Sequence, residues 1–301
     1  MNKKDKDFLE KKRPKKQYDV HVKDYELVIS HYQNLIAKGE NVPDAHINMG
    51  FIYLDKEDYE AALKCFLKVL ELEPETAEAF NNVGYVYEKM ERFDSAKRYY
   101  EKALASNAQN VEAVINIGHL LELQGDYNGA VDQYKKAIGM DRQNEAPRFC
   151  LAVLYDNHDM YEEAIDQYSE IIRFNPKHIK SLYNMGRISF QLGNYEASLN
   201  QFNDVLELDP NNADAWNNVG LVHEAGKNYS EAIASYRKSL SLNPFHEETN
   251  FNIANLQYLL YRDSCGDIKV SDIIRRLNFI LSLNPHNQKV NRLLSKIEKN
   301  I

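Results

Sequence analysis

The sequence predicts an all-α chain built as an array of 34-residue helix pairs. Two near-identical stretches open the case, AFNNVG at 79–84 and AWNNVG at 215–220, whose starts lie four 34-residue steps apart. From Pro43, units begin at 77, 111, 145, 179 and 213 without an insertion, and a fixed period of this length marks a stacked repeat. Apolar residues recur three and four apart within each unit, the stripe of an amphipathic helix, and no segment alternates as a strand would.

Within a unit each element has a local reason. In the first, Ala- and Leu-rich segments 44–56 and 59–72 flank a polar turn at Lys56–Asp58. The eighth position reads Gly50, Gly84, Gly118, Ala152, Gly186 and Gly220. The seventeenth is always Tyr or Phe, the twentieth is Ala or Ser, and the twenty-fourth is again Tyr or Phe. A small eighth residue lets the second helix approach while the aromatic at twenty-four fills the space beyond. A larger residue at Gly84 should therefore overpack, at about 1–3 kcal/mol. Gly125, Gly193 and Gly226 fall near the inner turn, where a left-handed residue ends a helix. Pro74, Pro176, Pro210 and Pro244 stand where the second helix must stop.

The ends depart from the period. Asp24-Tyr25-Glu26 repeats Asp58-Tyr59-Glu60, so 24–38 reads as a second helix whose first helix is unwritten. SLNP at 282–285 follows SLNP at 241–244 by 41 residues, which places an insertion around Arg262–Val270. Val290, Leu293, Leu294, Ile297 and Ile301 share one face of a closing segment, as a solenoid cap requires. The expected organisation is a disordered basic tail over 1–17, a half-repeat cap over 18–42, six repeats over 43–246, an atypical seventh over 247–287 and a capping helix over 288–301.

This unit resembles the tetratricopeptide repeat, with small residues at eight and twenty, aromatics near eleven, seventeen and twenty-four, and a late proline, over about residues 43–287. The resemblance implies a right-handed superhelical solenoid whose concave groove is lined mainly by the first helices. It also implies a non-catalytic scaffold or adaptor for protein–protein interaction. The carboxylate clamp that some members use for chaperone tails is not expected. Its places are held by Ile47, Phe51, Asn82, Glu112 and Asn116, and only the middle asparagine fits.

The face opposite the core stripe gathers positions two, six, nine and thirteen within about 60° of one another. Position six reads Asn48, Asn82, Asn116, Cys150, Asn184, Asn218 and Asn252. Asparagine is a mediocre helix former, so local propensity does not explain the series. One reading is a ladder of amides gripping the main chain of an extended peptide, similar to that in the repeats of O-linked N-acetylglucosamine transferase, here without a catalytic domain. The other is a bond to a neighbouring helix, with Cys150 as a spacer. Position nine supplies Phe51, Tyr85, His119 and Arg187, and position two Glu78, Glu112 and Lys180. Glu88, Glu122 and Asp156 flank at position twelve. The first repeats thus suggest a basic or aromatic-basic ligand, and Lys180 with Arg187 an acidic one. His223 is expected to pack in the core.

Composition sets the limits. The net charge is −8, yet residues 1–16 hold eight Lys/Arg against three Asp/Glu, which leaves an acidic body. Such a body is a poor general nucleic-acid binder. No apolar run is long enough to span a membrane, and the N-terminus lacks a signal-peptide core. Three scattered cysteines suit a reducing compartment, so a cytoplasmic location is expected. No histidine or cysteine spacing suggests a metal, and no phosphate loop or nucleophile motif suggests an enzyme or a cofactor. The partner is expected to be a protein or peptide. Self-association is the alternative, with the basic tail seated in the acidic groove of its own or a second copy. A further alternative is a regulatory or targeting subunit that docks on an enzyme through folded surfaces.

Overall fold

The computed structural model describes residues 25–263 and 268–299, and they form sixteen α-helices with no strand among them. In order these are α1 (Tyr25–Lys38), α2 (Val42–Asp55), α3 (Tyr59–Leu72), α4 (Ala77–Lys89), α5 (Phe93–Ser106), α6 (Val111–Leu123), α7 (Tyr127–Met140) and α8 (Glu145–Asn157). There follow α9 (Tyr161–Phe174), α10 (Ile179–Gln191), α11 (Tyr195–Leu208), α12 (Ala213–Ala225), α13 (Tyr229–Leu242), α14 (Glu247–Arg262), α15 (Val270–Leu283) and α16 (Gln288–Glu298). The fold is an all-α helical-repeat solenoid. Every odd-numbered helix from α1 to α13 starts on a Tyr or Phe at 34-residue intervals. The expected tail, the first residues of the expected cap, Cys265 and Ile301 lie outside the described residues.

The chain divides into two compact units at Gln167/Tyr168, inside α9. In the first, the pairs α2–α3, α4–α5 and α6–α7 pack along their lengths. The reason lies in the eighth residue. A Cβ on Gly50 would stand 2.6 Å from the Phe66 ring, on Gly84 2.7 Å from Tyr100, and on Gly118 2.8 Å from Tyr134. These rings, fully buried, rest on bare helix backbone. The second unit repeats the device, with Phe202 on Gly186 at 2.9 Å and Tyr236 on Gly220 at 2.4 Å. Ser198 replaces the usual alanine at position twenty, and its hydroxyl donates to the Gly186 carbonyl at 2.8 Å.

The inner turns correct one expectation. The left-handed residue is the fifteenth of each repeat: Glu57, Glu91, Gly125, Asp159, Gly193 and Lys227, with φ between 58° and 80°. Gly226 is not one of them; its φ is −78°, and Lys227 beside it takes the strained conformation. The period dictates the backbone here, and the side chain complies at a cost of about 1–2 kcal/mol where it is not glycine. The next helix is then capped by Asp58, Asp126 or Asn194, which accept a backbone N–H.

At the C-terminal end, α14 has 16 residues against 13 in α12, and α15 begins at Val270. Part of the extra length thus lies in the helix; residues 264–267 lie outside the described part. Val290, Leu293 and Ile297 of α16 close the end against Ile273, Leu277 and Ile280 of α15.

Candidate partner-binding face

The even-numbered helices carry the residues of the proposed ladder, and the structure shows where each amide goes. Asn116 Nδ2 donates to Asn81 Oδ1 at 2.9 Å, Asn218 Nδ2 to the Tyr183 hydroxyl at 2.9 Å, and Asn252 Nδ2 to Asn217 Oδ1 at 3.0 Å. Each partner stands 35 residues earlier, at position five of the preceding repeat. Asn184 donates to the Tyr168 hydroxyl at 2.9 Å, and Asn48 to the carbonyl of Asp44 in its own helix at 2.8 Å. Asn82 differs: it is 8% exposed and its Nδ2 has no partner.

The acceptors of these bonds were not among the expected site residues. Asn81 and Asn217 are the first letters of the two Asn-Asn pairs and are more buried than the second, at 2% and 1% exposed. The signal that could have found them is the offset of one period plus one residue. That offset also accounts for the break in the ladder. The place 35 residues before Cys150 holds Ile115, and both are buried apolar side chains with nothing to donate or accept strongly.

Position twelve turns inward as well. Glu88 accepts from Tyr100 at 3.0 Å, Glu122 from Tyr134 at 3.2 Å, and Glu224 from Tyr236 at 2.7 Å. In the sequence an acid stands at twelve wherever twenty-four is Tyr, while Leu54 and Phe190 stand there where it is Phe66 or Phe202. Glu88 and Glu122 are thus bound to buried phenols rather than being free charges flanking the face. Burial pushes all three phenols up, and it raises the Glu224 carboxyl against the opposing pull of its bond to Tyr236.

His119 extends this network. Its Nδ1 lies 3.0 Å from Glu88 Oε1, so that carboxylate holds a ring from α6 and a phenol from α5 together. Burial works against the imidazolium, but the hydrogen-bonded Glu88 and the more distant Glu122 outweigh it, and the His119 pKa is raised above 6.5. Its Nε2 is buried and without a partner.

The remaining residues are half-buried or exposed. Phe51 packs edge-on against Phe66 at 5.3 Å, and Lys89 sits over the Tyr85 ring at 5.0 Å. Glu78 and Glu112 are exposed in the first unit. In the second unit Lys180 and Arg187 are half-buried, and Arg187 Nη1 reaches Gln191 Oε1 at 3.5 Å. Among the described residues there is no group of His, Cys, Asp and Glu suited to a metal ion, and no helix is long and apolar enough to cross a membrane.

Comparison with known proteins bears on the family and the fold. Family models described as tetratricopeptide repeat match residues 41–109, and again 84–145 and 183–247, together more than half of the chain. No curated protein matches it. Among solved structures, the C-terminal part of a TPR repeat-containing protein from Cytophaga hutchinsonii is 20% identical, with TM-score 0.62 over 82% of this chain and 98% of that one. The Cut9–Hcn1 hetero-tetramer of the APC/C is 18% identical, with TM-score 0.59. It covers 98% of this chain, which spans 58% of that one. Pseudomonas aeruginosa pilF is 20% identical, with TM-score 0.58 over 71% and 97% of the two chains. These likenesses concern the fold. The matched repeats, the glycine–aromatic packing and the 34-residue helix pairs together make the chain a member of the tetratricopeptide-repeat family, whose repeats generally mediate protein–protein interaction.

Proposed function

We propose that the chain is a non-catalytic scaffold or adaptor that binds an extended segment of a partner protein along the even-numbered helices of its first unit. The observation that carries this reading is the contrast between faces. The core positions repeat almost without change, while position nine changes chemistry from repeat to repeat, through Phe51, Tyr85, His119 and Val153, beside a position two that stays acidic in Asp44, Glu78 and Glu112. Uniform packing needs no such variety, but recognition of one particular segment does. Exposed Glu78 and Glu112, beside half-buried Phe51 and Tyr85, favour a segment that mixes basic and aromatic residues.

The test is a photo-crosslinker placed at residue 78, at 112 and, as an outer-surface control, at exposed Arg98 of α5. Capture of one partner from 78 and 112 but not from 98, and its weakening by Glu78→Lys with Glu112→Lys, is the expected result. Equal capture from all three, or charge reversal without effect, overturns it.

A second reading has one feature in its favour. Phe245 is 64% exposed and lies 6.1 Å from the Phe279 ring in the second unit. A folded surface of an enzyme could dock there, in which case Phe245→Ser would abolish capture and the reversed acids would not.

A further inference from the structure

Three departures from the period meet around α14 and α15, in the second unit. Residue 245 falls where earlier repeats hold Glu75, Gln109, Gln143, Lys177 and Asn211, all polar, yet it is Phe and 64% exposed. With α15 counted from Val270 as α13 is from Tyr229, residue 279 matches Lys68, Lys102, Lys136, Glu170, Asp204 and Lys238, all charged, and it too is Phe. Residue 276 matches Ser235 and its uncharged counterparts in the earlier second helices, and it is Arg. Packing of the repeat requires none of these changes, since the other repeats stack without them.

One buried side chain brings the three together. Asn250, 3% exposed near the start of α14, donates from Nδ2 to the carbonyls of Pro244 and His246, on either side of Phe245, at 3.0 and 3.1 Å. Its Oδ1 accepts from Arg276 Nη1 at 2.8 Å. The Phe245 ring lies 6.1 Å from that of Phe279, which stands three residues beyond Arg276 and so neighbours it on α15. The turn and the helix are thus joined twice, and two rings stand beside one half-buried guanidinium. Among the described residues no carboxylate pairs with Arg276 or with exposed Arg237 of α13. Burial lowers the Arg276 pKa, and Arg237 lowers it further. Asp272, one turn before Arg276, pairs with Arg275 at 3.3 Å, and Glu247, one turn before Asn250, accepts from Asn284 and Asn287. The surroundings are basic as well. Residues 268–299 hold seven Lys/Arg against two Asp/Glu, whereas 25–263 hold 21 against 37. A cation placed this way favours an anion, and the guanidinium fork matches a carboxylate.

We propose that Phe245, Phe279 and Arg276 form a docking subsite for a partner segment that carries an aromatic side chain next to an Asp or Glu. The partner's ring covers the exposed ring pair, and its carboxylate takes the N–H groups of Arg276 that Asn250 leaves open. Aromatic and arginine side chains packed together are the usual anchors of a protein interface. The subsite does not rest on the first-unit face; it rests on the second reading above and gives the surface at Phe245 a ligand chemistry.

The experiment titrates the full chain with small probes while following the Phe245 and Phe279 ring signals and the Arg276 guanidinium by NMR. 3-Phenylpropanoate carries both a ring and a carboxylate, propanoate the carboxylate alone, 3-phenylpropanamide the ring without charge, and inorganic phosphate an anion of another shape. The expected result is that 3-phenylpropanoate moves all three signals along one saturation curve, and that each half-probe binds about tenfold more weakly. Phe245→Asn restores the residue of the previous repeat, Asn211, and should weaken 3-phenylpropanoate about tenfold. Arg276→Ser, after Ser235, should do the same; Arg276→Gln, which removes the charge and keeps a donor for Asn250, serves if that variant does not fold. Silence, an equal response to propanoate, to the amide or to phosphate, or an unchanged titration in folded Phe245→Asn overturns the subsite. Phosphatidylserine vesicles that move the signals while 3-phenylpropanoate does not overturn it in favour of a membrane surface. Phe245→Ser without effect on partner capture retires the second reading, whatever the small probes do. The crosslinks from 78 and 112 report on the first-unit face alone.

Discussion

Replacing Tyr236 by Phe removes one hydroxyl from a fully buried ring and leaves the packing on Gly220 in place. The hydroxyl donates to Glu224 at 2.7 Å, a bond to a charged, half-buried acceptor, so its loss should cost about 1.5–3 kcal/mol. Glu224→Leu alone strands the phenol instead and should cost about 1–3 kcal/mol. The pair Glu224→Leu with Tyr236→Phe reproduces what the first repeat already holds in Leu54 and Phe66. Apolar replacement of both partners is near neutral when shape is kept, so the double variant should lie within about 1 kcal/mol of the parent. The coupling is then at least about 1.5 kcal/mol, well above the ~0.5 kcal/mol scatter of independent sites. Urea unfolding gives the totals, and hydrogen exchange in α12 and α13 localises them, since a repeat array need not unfold in one step. Additive single effects would refute the claim that positions twelve and twenty-four are chosen as a pair.

Three other outcomes are expected. Because the His119 pKa is raised in the folded state, its bond to Glu88 contributes stability that is full below pH 6.5 and lost as pH rises through the higher folded midpoint. The urea midpoint of the parent relative to His119→Asn should therefore fall between about pH 6 and 8, and a flat difference contradicts it. Lys227→Gly relieves a left-handed side chain, worth about 1–2 kcal/mol, against about 0.5–1 kcal/mol of added unfolded-state freedom. A thermal midpoint that rises supports the assignment, and one that falls argues against it. Gly220→Ala puts a Cβ 2.4 Å from Tyr236 and should cost about 1–3 kcal/mol by overpacking, while Gly139→Ala, with nothing within 4 Å, should gain about 0.5–1 kcal/mol. Denaturation curves showing the two substitutions to be alike would remove the packing argument.

The period made most of the fold legible, because a residue repeated at fixed spacing reports a packing need that recurs. The glycine–aromatic contact could be read that way, residue by residue. Gly226 misled for the same reason in reverse: a glycine near a turn attracts the assignment, but the period places the left-handed φ on Lys227, as on Glu57, Glu91 and Asp159. The pairing of Glu88 with Tyr100 was present in the sequence as a co-occurrence twelve residues apart. It was hidden because an acid in a helix reads first as a solvated charge. The acceptors Asn81 and Asn217 were hidden differently, since their bonds cross between repeats at 35 residues and a search within one repeat cannot reveal them. The unpaired nitrogens of Asn82 and His119 could not be read at all without coordinates, because being unpaired depends on what surrounds them.

The central claim is that the Asn82 rung serves a partner while Asn116, Asn184, Asn218 and Asn252 each tie a repeat to the one before it. The decisive measurement compares Asn82→Ala with Asn116→Ala in both stability and affinity for the partner captured at residues 78 and 112. The account predicts that Asn116→Ala costs about 1–3 kcal/mol of stability by stranding the buried Asn81 Oδ1. It predicts that Asn82→Ala leaves stability unchanged or higher and weakens the partner about tenfold. Stability loss at Asn82 with affinity intact would contradict it.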